Sequence, residues 1–164
     1  FASPSPSKID TELIKKEIQS FFDHMGLAPE VEDIEAYMGI ASRFNVRLRG
    51  NANMLIGERG NNLVALEHVL KKIIHRKKKT ESDEEDAKFS LDINDYRIKR
   101  LDELKYAVKS AAKEVRLYRR ETPLRPMSSF ERRIVHLLLE EYPDITTESI
   151  GEDPNRRVII KPYP

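Results

Sequence analysis

The sequence predicts an α+β chain of two small modules: helix, strand, strand, helix, helix, strand, then a long helix, then a short helix with strands. Three observations carry that prediction. Stretches with apolar residues every third or fourth position are interleaved with stretches of strict apolar–polar alternation, so amphipathic helices and half-buried strands both occur. Two glycines three apart, Gly57 and Gly60, stand directly ahead of one helical stretch. A single helical pattern runs unbroken from 95 to 119 through the middle of the chain.

Residues 1–8, with alternating Ser and Pro, cannot continue a helix and are expected to be the remnant of a linker. Asp10 is placed to cap the first helix, with Ile9 and Ile14 as its hydrophobic staple. Ile14, Ile18, Phe21, Phe22 and Met25 form its apolar stripe, and Gly26 is its expected stop. Strands are expected over 31–40 and 44–49. In the second, Phe44, Val46 and Leu48 point one way and Arg43, Asn45, Arg47 and Arg49 the other. Asn51 is expected to cap a short helix over 52–56, and a longer helix follows over 62–76 with Leu63, Leu66, Leu70, Ile73 and Ile74 on one face. A basic run, Lys77, Lys78 and Lys79, precedes an acidic loop over 80–86, and 88–93 reads as a third strand.

Along the helix of 95–119, Leu101, Leu104, Val108, Ala111 and Val115 make the apolar face. Lys105, Lys109, Lys113, Arg116 and Arg120 follow one another at steps of three or four, making a basic stripe. Pro123 and Pro126 end this segment, with Leu124 on a short edge strand. The last helix, from Ser128 or Ser129 to Tyr142, places Phe130, Ile134, Leu137, Leu138 and Glu141 on one side, its apolar members against the core. Ser129, Arg132 and His136 fall on the opposite, exposed side, with Glu140 as a competitor for the imidazole. Strands over 145–149 and 157–161 flank a turn at 151–154 and return Arg156 and Arg157 toward that patch.

Composition narrows the function classes. At 164 residues the chain fits one or two domains, and its net charge of +1 is too small for global basicity to announce a nucleic-acid partner. With no cysteine, disulfides and thiolate metal sites are excluded. No apolar run approaches the ~20 residues of a membrane span, so membrane insertion is not expected and the expected location is the cytoplasm. His24, His68, His75 and His136 belong to no metal-ligand spacing, so neither a metal nor a cofactor is implied. Ser128 and Ser129 near His136 lack a third orienting acid, and the glycine turn lacks the Lys-Ser/Thr of a nucleotide-binding P-loop; catalysis is not supported. What remains is binding. A glycine turn at a helix start brings backbone N–H groups and a positive dipole end close to a guest, and a phosphodiester backbone suits it. Arg-x-x-x-His on a helix face adds a forked donor and an imidazole for phosphate or base.

The order of elements over 9–94, with Gly57-Glu58-Arg59-Gly60 as its turn, resembles a type II KH domain. Residues 123–164, with Arg132-x-x-x-His136 and Arg156-Arg157-Val158-Ile159-Ile160, resemble an R-3-H domain. The pairing, joined by a connecting helix over 95–122, is similar to the bacterial Jag family, also called KhpB or SpoIIIJ-associated. The resemblance implies a protein that binds single-stranded RNA, with single-stranded DNA as a second nucleic-acid class, in post-transcriptional regulation linked to cell elongation and division. It also implies a small single-KH protein, or a second copy of the chain, as protein partner. On it, Gly57 and Gly60 form the clamp with Glu58 and Arg59 between them, and Ile56, Leu63 and the edge strand line the groove for bases. Ser129, Arg132, His136 and Arg156, with Lys105, Lys109 and Lys113, extend the track. Two departures stand out: Glu58 puts a carboxylate where phosphates pass, and Ser128-Ser129 replaces Asn-Pro ahead of the second signature. The alternative reading is a protein-interaction adaptor whose first module serves dimerisation or partner docking.

Overall fold

The structure is a computed structural model in which residues 11–39, 42–78 and 88–164 are described. The expected linker, the Ile9/Asp10 cap, the end of the first strand at Ile40, Lys79 and the acidic loop lie outside them. The chain divides into two compact units, Phe1–Arg97 and Ile98–Pro164, each with its own buried cluster.

The first unit contains α1 (Thr11–His24), β1 (Val31–Tyr37), β2 (Ser42–Leu48), α2 (Asn53–Ile56), α3 (Asn61–Lys78) and β3 (Phe89–Ile93), in the expected order. β2 is the central strand, antiparallel to β1 and parallel to β3. Parallel neighbours need a long crossover, and the α2–α3 segment supplies it. The core is the one the two periodicities define. Ile14, Ile18 and Phe22 from α1 and Leu63, Leu70 and Ile74 from α3 pack against Phe44, Val46, Phe89, Leu91 and Ile93 from the sheet. Phe44 and Phe89 meet edge to face, with ring centroids 5.5 Å apart.

The other face of the sheet is polar, and its charges are paired among themselves. Arg47 Nε donates to Glu35 Oε1 at 2.5 Å and its Nη2 to Asp95 Oδ2 at 2.9 Å. Arg43 Nη1 donates to Asp92 Oδ2 at 3.2 Å, with its guanidinium 4.4 Å over the Tyr37 ring. Hydrogen bonds from Arg47 and Tyr37 hold the Glu35 carboxyl down from 4.5 to about 2. Asp92 is fully buried; burial pushes its carboxyl up, against N–H groups of Arg97 and Ile93 and the Arg43 charge.

α4 is Tyr96–Tyr118. It runs from the first unit into the second, and most of it belongs to the second: Leu104, Val108, Ala111, Ala112 and Val115 are buried in that unit's core, with Leu124, Met127, Val135, Leu139, Ile145, Val158 and Ile160. The remaining elements are β4 (Thr122–Pro123), α5 (Ser129–Leu139), β5 (Ile145–Ile150) and β6 (Arg157–Pro162), with an antiparallel sheet ordered β4-β6-β5. Leu124 follows the edge strand instead of lying on it, its N–H donating to Val158 O at 2.9 Å. α5 ends at Leu139, one turn short of Tyr142.

The face of α5 also departs from the expectation. Phe130 and Leu137 are exposed, at 64% and 57%, while Val135, Leu139, Glu131 and Arg132 are buried. The helix is turned by roughly one residue, ~100°, from the apolar stripe. Glu131 explains the turn. Its carboxylate accepts from Ser128 N at 2.8 Å and from Arg100 Nε of α4 at 2.5 Å, and Ser128 Oγ accepts from Glu131 N at 3.2 Å. That is a complete capping box fused to an inter-helix ion pair, so the acid goes inward. Burial raises the Glu131 carboxyl, but the hydrogen bonds from Arg100 and Ser128 outweigh it and the net direction is down.

Candidate nucleic-acid interface

In the first unit the glycine turn is built around two close approaches. Gly57 has φ +73, and a Cβ there would lie 2.6 Å from Cγ of Asn62, whose Nδ2 donates to Met54 O at 2.7 Å. Gly60 has φ +77, and a Cβ there would lie 3.0 Å from Cε1 of Tyr96. Both positions therefore favour glycine for conformation, and Gly57 requires it for space as well. Between them, Arg59 is held in the left-handed region at φ 55. The turn presents Glu58 and Arg59 outward at the start of α3, beside that helix's positive end.

Ile56 and Leu63 do not line an open groove: they are 8% and 1% exposed and belong to the core. The apolar side chains that reach solvent near the turn are Met54 and Val64, 89% and 57% exposed. Helical phase already contained this, since a residue on the stripe facing the core cannot also face a ligand. Arg43, Arg47 and Arg49 are engaged with acids, Arg49 with Glu32 at 3.0 Å, and Lys77 reaches Glu17 at 2.8 Å.

In the second unit, Ser129, Arg132 and His136 of α5 and Arg156 ahead of β6 converge on one open concavity of about 600 Å³. Arg132 is not the exposed fork the sequence suggested. It is 9% exposed, and its Nη1 donates to Met127 O at 2.8 Å, with Asp153 Oδ1 at 3.5 Å. Its placement beside the core follows from the rotation of α5. Arg156 Nη1 donates to Gly151 O at 2.7 Å. His136 is half-buried, with Nδ1 2.6 Å from Thr147 Oγ1 and Nε2 3.1 Å from Ser149 Oγ. A hydroxyl both donates and accepts, so these two partners satisfy the ring in its neutral and its protonated form alike. Glu140 lines the same concavity, and the imidazole contacts are those two hydroxyls. Thr147, Ser149 and Arg133 are lining residues the sequence reading missed. Thr147 and Ser149 are two apart on β5, and period two alone puts them on one face.

On α4, Lys105, Lys109 and Lys113 are all exposed. Arg116, counted in the same stripe, is instead paired with Asp144 at 2.7 Å, and Arg120 lies beyond the helix end. Among the described residues no group of His, Asp and Glu could hold a metal ion, and no helix is long and apolar enough to cross a membrane.

The concavity lies within a stretch that other proteins share. The family model for the R-3-H domain matches residues 102–162, which takes in α4 from residue 102 onward. RNA-binding protein KhpB of Clostridium symbiosum is 32% identical over 144 residues, 87% of this chain and 62% of that protein. The chain is a relative of the KhpB proteins. Those of Lactiplantibacillus plantarum and Bacillus subtilis are 41% identical over 70 residues and 33% over 111, covering 43% and 66% of this chain. This KhpB relative spans less than two thirds of each of the three, at 62%, 22% and 51% of their lengths.

Proposed function

We propose that this chain binds single-stranded RNA through two modules and acts in post-transcriptional regulation in the cytoplasm, linked to cell elongation and division, without catalysing a reaction. The observation that carries the reading is the convergence of Ser129, Arg132, His136 and Arg156 on one concavity, inside the segment matched to the R-3-H domain. The name that the relatives share, RNA-binding protein, points the same way. We read the first unit as a type II KH module, supported by its element order and by a turn in which both glycines hold positive φ and Gly57 has no room for a side chain. In that module phosphates pass over the turn at 57–60, and bases rest against Met54 and Val64 in place of Ile56 and Leu63. In the second module Arg133, His136 and Arg156 face the strand, and Arg132 positions the turn through the Met127 carbonyl. A small KH protein or a second copy of the chain is the protein partner.

The experiment is binding of a short single-stranded RNA to the full chain across a salt series. Affinity should fall with salt, with a log–log slope of about 0.7 for each phosphate contacted. Arg133→Glu should weaken binding while leaving the melting temperature in place. Salt-independent binding, or none, would sink the reading. Aspartate at Gly57 and Gly60 is a poor probe, because the added side chains collide with Asn62 and Tyr96 and strain the fold. A protein-interaction adaptor is the second reading, favoured by the exposure of Phe130, which does not line the concavity. In that case a partner would bind in high salt and Phe130→Ser would release it.

A further inference from the structure

A second concavity of the unit matched to the R-3-H domain, about 410 Å³, lies over the side of α4 and is lined by Lys109, Lys113, Arg116, Leu117, Tyr142 and Asp144. Its floor is layered. Arg116 Cζ sits 5.3 Å from the Tyr142 ring centroid, and Arg116 Nε donates to Asp144 Oδ2 at 2.7 Å. The guanidinium thus lies over an aromatic ring and its Nε is held by a carboxylate, yet 49% of the side chain remains exposed. The hydrogen bond from Arg116 holds the Asp144 carboxyl below its ordinary range, so the fixing charge is retained at neutral pH. Lys109 and Lys113, one turn apart on the same helix, stand at the rim, and no ion pair to either occurs among the described residues. Leu117, 65% exposed, supplies an apolar wall.

We infer that this concavity is a subsite for one nucleotide of a single-stranded RNA, its base stacked on the Arg116 guanidinium and its phosphate between Lys109 and Lys113. The inference rests on the RNA-binding reading above and adds a site separate from the Arg132/His136 concavity. A guanidinium plane is a sequence-tolerant platform for a base, and here Tyr142 and Asp144 order it before any ligand arrives. Lysine ammoniums suit phosphate as point charges, whereas the locked arginine suits the base. The stripe of cations on α4 therefore divides into two roles, with Arg116 as platform and its neighbours as phosphate contacts.

Binding of the full chain to a short single-stranded RNA, and to the same oligomer with abasic riboses, tests this across a salt series. Lys109→Ala with Lys113→Ala should lower affinity for both and flatten the log–log salt slope by about 0.7, the single-strand value for one phosphate. Arg116→Lys keeps the charge and loses the plane, so it should leave the slope unchanged. It should also weaken the base-bearing RNA by about tenfold while sparing the abasic one. If the double alanine variant, still folded by circular dichroism, binds RNA with wild-type affinity and slope, the subsite is refuted while RNA binding itself stands. Equal loss on both oligomers for Arg116→Lys would refute the platform. Failure of the unaltered chain to bind RNA would overturn the RNA reading and this inference together.

Discussion

Arg132 is nine-tenths buried, and its strongest partner is a backbone carbonyl, that of Met127. A buried carbonyl deprived of its donor carries a desolvation cost, so Arg132→Ala should destabilise the second unit by about 1–3 kcal/mol. Thermal melting measures this; an unchanged midpoint would mean the guanidinium is not structural. In the first unit, Glu58 and Arg59 are exposed between two glycines of positive φ. Glu58→Lys should tighten RNA binding. Arg59→Asn should weaken it at little structural cost, because asparagine accepts the left-handed backbone better than most residues. Opposite signs from the two exchanges, read in one titration, are the expected pattern. Equal, null effects would remove the turn from the interface.

At the scale of elements, what could be read from the sequence depended on whether a partner was local. The faces of α1, β2, α3 and β3 follow from period alone, because each buries one apolar stripe against the next, and their core residues are the ones expected. α5 resisted because its orientation is set by charged residues. Glu131 is drawn inward by Ser128, three residues away and visible as a capping pattern, but also by Arg100, 31 positions distant and invisible to any local window. Ser128→Ala should accordingly cost about 1 kcal/mol, the usual worth of an N-cap. The apolar face of α4 was equally plain, but periodicity does not say which core it joins. The structure does: five of its residues are in the second core. A fragment of residues 98–164 should therefore fold alone, with dispersed amide resonances, whereas one of 123–164 should not. A folded 123–164 fragment would contradict the assignment of α4 to that unit.

For the whole molecule, acid stability reports the paired face of the first sheet. Glu35 is depressed from 4.5 to about 2, so its ion pair with Arg47 stabilises the fold above pH 4.5 and is lost as pH falls through about 2. Asp92 acts in the opposite sense: burial raises its carboxyl, so its ionised form carries a cost in the fold that protonation relieves. Glu35→Gln should lower stability at neutral pH and flatten the profile between pH 4.5 and about 2. Denaturant midpoints at a series of pH values test this, and an unaltered slope would show that Glu35 is not the group responsible. The network has a bearing on charge as well. It occupies Arg43 and Arg47, whereas Lys109, Lys113 and Arg133 of the second unit stay exposed where they line its two concavities.

The turn at 57–60 is wedged from beneath by Asn62 and Tyr96, so its amide groups hold their directions before any strand arrives. On the proposed RNA-binding reading, a turn so held would lose little disorder on engagement and would have no closing step to await. Association should then be limited by encounter, accelerated or slowed by the sign of the charge at position 58, with residence time left to stacking elsewhere on the chain.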